Sequence, residues 1–244
     1  RGYEASTEHD VIFIARGEHL AAIQKQGLEV STKDEGNWTA LPSLATDDPN
    51  KAGTAGLVLF CVKGYDLEQS AAMMKPCIGD DTVCISLLNG IDNADRLSAV
   101  IDRGHILNGC VYISAVKTVP GAITQVGGPC TLFFGPEGKP VERYRPLEQF
   151  LRNAGIKATL SDDITSVLWS KYLFVGPLGG VTSLMGEPVG AVLENVRLRS
   201  MLEDMMKEVE SVARVLNVNL PDDIVQKSMD MAASFPFETK TSIQ

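Results

Sequence analysis

Three short apolar runs, each closed by a different polar residue, constrain this chain more than any other feature. Val11 to Ala15 runs into Arg16, Leu57 to Val62 into Lys63, and Val83 to Leu88 into Asn89-Gly90. Helix-like stretches lie between and after them, at Glu18 to Gln26, Asp66 to Met74 and Asn93 to Asp102. Short buried strands alternating with helices are the pattern of a parallel sheet covered by helices on both faces. Ligands of such sheets bind beyond the carboxyl ends of the strands. Arg16, Lys63 and Asn89 are therefore expected on one ligand-binding edge.

Beyond these strands the pattern changes twice. From about Ile106 to Thr159, β-type runs such as Cys110 to Val116 and Thr131 to Phe134 are broken by Val119-Pro120-Gly121, Gly127-Gly128-Pro129 and Gly135-Pro136. These read as strands finishing the sheet, with a helix around Val141 to Ala154. From Asp162 the chain turns helical. Ser161 or Asp162 is a candidate cap, and Ile164, Val167 and Leu168 follow at helical spacing. A further helix is expected from near Pro188 to about Asn217, with Leu202, Met205, Met206, Val209 and Val212 as its apolar stripe. Core filling is the simpler reading of the methionines. The expected fold is thus α/β: a Rossmann-like, doubly wound parallel sheet over residues 1–160, followed by an all-α domain over 161–244.

Composition limits the functions such a fold could serve. A formal net charge of −9 opposes general binding to nucleic acid, whose phosphates it would repel. There is no apolar run near the roughly 18 residues a membrane span needs, and no secretory signal is visible. The five cysteines form no C-x-x-C pair, which suits reduced thiols in a cytoplasmic protein. With three histidines and no zinc-type spacing, no metal site is expected.

Lys171 is the residue with most to say about chemistry. It lies seven positions after Ile164, on the same helical face as Val167 and Leu168. A lysine there either snorkels to the helix edge or works in a partly desolvated cleft, where a lowered pKa makes it a better proton donor. Arg16 and Lys63 carry similar alternatives, as solvated surface cations or as ligands for an anionic group. An arginine ending this strand suits the 2′-phosphate of NADP, whereas an acidic residue there would suit NAD.

Taken in order, several segments resemble the ketopantoate reductase family. Ile14-Ala15-Arg16-Gly17 resembles that family's second strand, whose arginine meets the cofactor's 2′-phosphate. Phe60-Cys61-Val62-Lys63 resembles its strand-ending lysine, Leu88-Asn89-Gly90 its N-G turn, and Val119-Pro120-Gly121 a P-G turn. Trp169-Ser170-Lys171 followed by Thr182-Ser183-Leu184 resembles its W-x-K…T-A-L segment. The resemblance implies NADPH-dependent reduction of a 2-keto acid, ketopantoate (2-dehydropantoate), to pantoate, as in pantothenate biosynthesis. It implies Lys171 as proton donor, Arg16, Lys63 and Asn89 as cofactor contacts, and Asn89 as a positioning group in catalysis. Thr241-Ser242-Ile243 is similar to the family's S-S-M segment. Ser242 is accordingly expected either to contact substrate, with Lys171, or to be a frayed terminal residue.

The chain departs from the family in three places. In the register set by Lys171, Val175, Gly179 and Val189 stand where the family has asparagines. Losing three amides removes groups that would recognise hydroxyl and carboxylate. Pro177, nearby, is expected to bend or end the helix. No G-x-G-x-x-G occurs, and the family's acidic residue would fall after Gln244, so the expectation is a chain lacking the start of its cofactor domain and its C-terminal end. Two alternatives stay open: a related dehydrogenase acting on another keto acid or keto phosphate, and a non-catalytic NADP-binding sensor. The partners expected are a small 2-keto acid and a second copy of the chain, with no nucleic acid and no membrane.

Overall fold

A computed structural model describes residues 9–32 and 36–241. It divides into two compact units, one of Arg1–Leu88 and Asp92–Asp162, the other of Asn89–Ile91 and Asp163–Gln244. The sequence reading assigns Asn89 to the sheet domain. The structure instead groups Asn89–Ile91 with the helices, because Ile91 packs against the helical core.

In the sheet unit, β1 (Ile12–Ile14) is followed by α1 (Gly17–Gln26). The helix ends at Gly27, where φ is +82° and a Cβ would lie 2.8 Å from the Ala40 carbonyl, so both conformation and space require glycine. Next come β2 (Leu28–Thr32), β3 (Gly36–Ala40) and β4 (Leu44–Thr46). The apolar run of β1 predicts a buried strand. It pairs in parallel with β4 alone among the described residues, Ile12 opposite Leu44, and is only half-buried.

The remaining elements are β5 (Ala55–Phe60), α2 (Leu67–Met74), β6 (Ile78–Ser86), α3 (Asn93–Ser98), β7 (His105–Val119), β8 (Ala122–Gly135), α4 (Arg145–Asn153) and β9 (Lys157–Leu160). Strands β5, β6 and β7 are parallel neighbours joined through α2 and α3. Alternate residues of β6 face opposite layers. Cys84 packs with Phe60, Leu67, Ala71 and Leu97, under α2 and α3, while Ile85 packs with Leu107, Phe134 and Leu151, under α4. The sheet is therefore covered on both faces.

It is not parallel throughout. Among the described residues the strand order is β3-β2-β8-β7-β6-β5, with β9 also on β8. Strands β7 and β8 form one long antiparallel hairpin around Pro120-Gly121, with Val119 opposite Ala122. Read as separate short strands, these segments are in fact continuous. The length of β8 lets its first part pair with β2 and its last part with β9.

The helical unit begins with α5 (Ile164–Met185). Its cap is Asp163, one or two residues later than expected, whose side chain accepts a hydrogen bond from the Ser166 N–H. Pro177 does not end this helix. Gly176 before it has no Cβ to clash with the proline ring, and Leu173, Leu178 and Val181 are buried around the site. The expected helix from Pro188 to Asn217 is broken into α6 (Val189–Glu194) and α7 (Val196–Val215). Asn195 turns extended between them, and its side-chain oxygen accepts from the N–H groups of Arg197 and Leu198, capping a new helix. Helix α8 (Ile224–Ala233) completes a core that includes Leu173, Val189, Leu202 and Met206.

Candidate active site

In the sheet unit, the segments that follow β1 and β5 bring Arg16 and Asp66 together, and Lys63 lies three residues before Asp66. Arg16 occupies the cap position before α1 with an extended backbone, and its side chain is largely exposed. Lys63 follows β5 and leads into a tight turn, Gly64–Asp66. Asp66 closes that turn, its N–H donating to the Lys63 carbonyl at 2.9 Å, and its carboxylate lies 3.7 Å from the Arg16 guanidinium. Among the described residues no acid lies within ion-pair distance of Lys63, so it remains available to an anion.

The turn is anchored from the next helix. Arg96 of α3 donates to both carboxylate oxygens of Glu68, at 2.7 and 3.0 Å, and to the Gly64 carbonyl. This hydrogen-bonded guanidinium holds the Glu68 carboxyl below its ordinary range. Neither Asp66 nor Arg96 was singled out from sequence. Asp66 is visible there only as the third residue after Lys63, with nothing to say that it faces Arg16.

In the helical unit, Lys171 is half-buried and is the single charged residue of α5. Leu168 and Trp169 beside it are buried, and the Trp169 and Tyr172 rings meet edge to face at 6.1 Å. Asn89 lies in the segment that Ile91 ties to the same core. Of the three positions without family asparagines, Val175 is partly buried, Gly179 is buried, and Val189 is fully buried in the core.

The last described residues are seated on α5 and α6. The Val189 N–H donates to the Thr239 carbonyl and the Gly190 N–H to the Phe237 carbonyl, both at 2.9 Å. The buried Thr182 hydroxyl donates to the Leu178 carbonyl and lies 3.0 Å from the Thr241 hydroxyl. Thr182 thus has an anchoring role that sequence did not suggest. Ser242, expected at the substrate, lies outside the described residues.

A groove of about 400 Å³ elsewhere in the sheet unit is lined by residues such as Ile23, Gly27, Leu41 and Ala45. It lies at the opposite end of α1 from Arg16 and contains none of the expected site residues. Among the described residues no three His, Cys, Asp or Glu side chains gather as a metal site. No helix of the described residues is long and apolar enough to cross a membrane.

Residues 4–138 match the family model described as ketopantoate reductase PanE/ApbA, and residues 163–244 match that of its C-terminal region. The chain is 28% identical over 219 residues to a 2-dehydropantoate 2-reductase of Halobacterium salinarum, covering 89% of this chain and 71% of that protein. Its fold is similar to that of a crystal structure of 2-dehydropantoate 2-reductase from Porphyromonas gingivalis, at 33% identity and a TM-score of 0.86, covering 96% of this chain and 82% of that one. It is also similar to a PanE/ApbA family ketopantoate reductase from Ralstonia eutropha, at 28% identity and a TM-score of 0.88, covering 100% and 80% of the two chains.

Proposed function

This chain belongs to the ketopantoate reductase family, and from that premise we propose that it reduces a 2-keto acid to the 2-hydroxy acid with NADPH, ketopantoate to pantoate being the first reaction to test. The family is one of nicotinamide-dependent oxidoreductases, and the enzyme class follows from membership. The donor set at the strand ends fits a phosphorylated nucleotide. Arg16 and Lys63 are exposed cations that follow β1 and β5, and a guanidinium suits the two-pronged contact a phosphate offers. When bound, a reduced nicotinamide supplies the hydride for the carbonyl carbon.

The chain's own residues supply the rest. Lys171 donates the proton that the carbonyl oxygen requires, and its positive charge stabilises the negative charge developing there. Asn89 holds the reacting groups in orientation, a task that asks for placement and not for a perturbed pKa. Lys63 and Arg16 fix the nucleotide. Ser242 is a further substrate contact in this reading. The observation that carries the proposal is Lys171: it is half-buried and the one charge on a 22-residue helix otherwise composed of apolar and small polar side chains. An otherwise uncharged helix that admits one ammonium group suits a lysine placed for chemistry.

A second substrate reading has its own support. Val189 is buried in the core and Gly179 offers no side chain, so neither can hydrogen-bond a substrate hydroxyl. Another 2-keto acid, or a keto phosphate, fits those positions as well as ketopantoate does. We further place the reaction in the cytoplasm and in a homodimer, since two-fold dimers are the commonest assemblies. The test is NADPH oxidation with ketopantoate, compared with NADH and with a panel of 2-keto acids. Turnover of ketopantoate supports the main reading, and turnover of another keto acid alone moves the substrate. Nucleotide binding without any turnover overturns the enzyme in favour of a sensor.

A further inference from the structure

We propose that Asp66 is a specificity-determining residue for the nucleotide, acting through Arg16 to hold the preference for a 2′-phosphate over a free 2′-hydroxyl to a modest level. The inference rests on the reading above, that Arg16 meets the nucleotide's ribose. An arginine at the end of this strand favours the phosphorylated ribose, and an acid favours the free hydroxyl. The sequence presents only the arginine there. The fold supplies the acid from the turn that follows β5, 3.7 Å away.

Asp66 is held there by structure. It closes a turn whose Gly64 carbonyl is bound by Arg96, and Arg96 is itself fixed by two hydrogen bonds to Glu68. The pair with Arg16 is loose and open to water on both sides, the side chains being 58% and 31% exposed. Such pairs hold weakly, so a phosphate can take the guanidinium from Asp66. The carboxylate then remains as a like charge beside the phosphate. A 2′-hydroxyl meets the opposite situation, because it can donate a hydrogen bond to Asp66.

The size of the effect follows from Coulomb's law. A carboxylate and a phosphate dianion roughly 6 Å apart in a water-like dielectric repel by enough to change a dissociation constant about tenfold. The experiment measures binding of 2′,5′-ADP and of 5′-AMP by calorimetry, which needs neither turnover nor substrate. In the unaltered protein, 2′,5′-ADP is expected to bind within about tenfold of 5′-AMP. Asp66→Asn, of equal size, should tighten 2′,5′-ADP by about five- to tenfold and weaken 5′-AMP, while Asp66→Glu keeps the original ratio. Unchanged constants in Asp66→Asn, or weaker 2′,5′-ADP binding, overturn the role of Asp66 and leave the proposed function standing. Arg16→Ala separates the two ideas. If the phosphate preference survives that change, or if neither nucleotide binds the unaltered protein, the reading of Arg16 fails and this inference with it.

Discussion

Gly190→Ala should loosen the Phe237–Thr239 segment from the helical unit at a cost that the geometry sets. A Cβ built at Gly190 lies 2.7 Å from the Phe237 Cα and overlaps the near edge of the Phe237 ring. Phe237 is 45% exposed, so its ring can swing away, but the Cα cannot. It is held by the bonds from the Gly190 N–H to the Phe237 carbonyl and from the Val189 N–H to the Thr239 carbonyl. An ordinary carbon contact needs roughly 3.5–4 Å, so the segment must retreat by about 1 Å. That displacement breaks both hydrogen bonds, at about 1 kcal/mol each, and forfeits part of the Phe237 contact. The alternative, keeping the segment and straining the helix, costs about 1–3 kcal/mol. The cheaper route sets the expected loss, about 1–3 kcal/mol, read as a lower urea midpoint, with faster proteolysis near Phe237. Gly180→Ala is the control. Its Cβ would meet the Met205 terminal methyl at an ordinary 3.5 Å, so this helix-interior change should stabilise by about 0.5–1 kcal/mol. A Gly190→Ala protein as stable and as resistant to protease as the original would refute the reasoning.

Other consequences are open to direct measurement. Lys171→Ala should lower kcat by about 10²–10⁴ while leaving nucleotide affinity nearly unchanged, since it removes the proposed proton donor and none of the proposed nucleotide contacts; a fall in nucleotide affinity alone would contradict that role. Leu202→Ala removes a fully buried side chain from the helical core and should cost about 2–5 kcal/mol in a denaturation midpoint, and a loss under about 1 kcal/mol would show the core able to collapse around the gap. Burial pushes the Cys84 thiol up from 9.0 to about 11. The unfolded chain therefore loses this proton first, and stability that is intact below pH 9 should decline between pH 9 and 11, on the order of 2 kcal/mol in all. Cys84→Ala should flatten that slope, and an unchanged slope would place the alkaline sensitivity elsewhere.

Local pattern decided a good deal of this protein. Strands that end at Arg16, Lys63 and Asn89, with helices between them, are legible because apolar runs and helical spacing report burial directly. Lys171 stands out in the same way, as a charge within an apolar helix. What pattern does not report is the partner. The long β7–β8 hairpin, whose first part lies beside β2 and last part beside β9, depends on pairings between residues far apart in sequence, as with Val30 opposite Ile123. The break at Asn195 and the unbroken helix through Pro177 turn on a single side-chain cap and on the missing Cβ of Gly176, which local propensity weighs too coarsely. Asn89 reads as the end of a sheet strand, yet Ile91 two residues later packs with the helices and carries it into their unit. The placing of Asp66 beside Arg16 joins residues fifty positions apart, and only the fold, by bringing the turn after β5 against the start of α1, decides that a cation and an acid stand side by side.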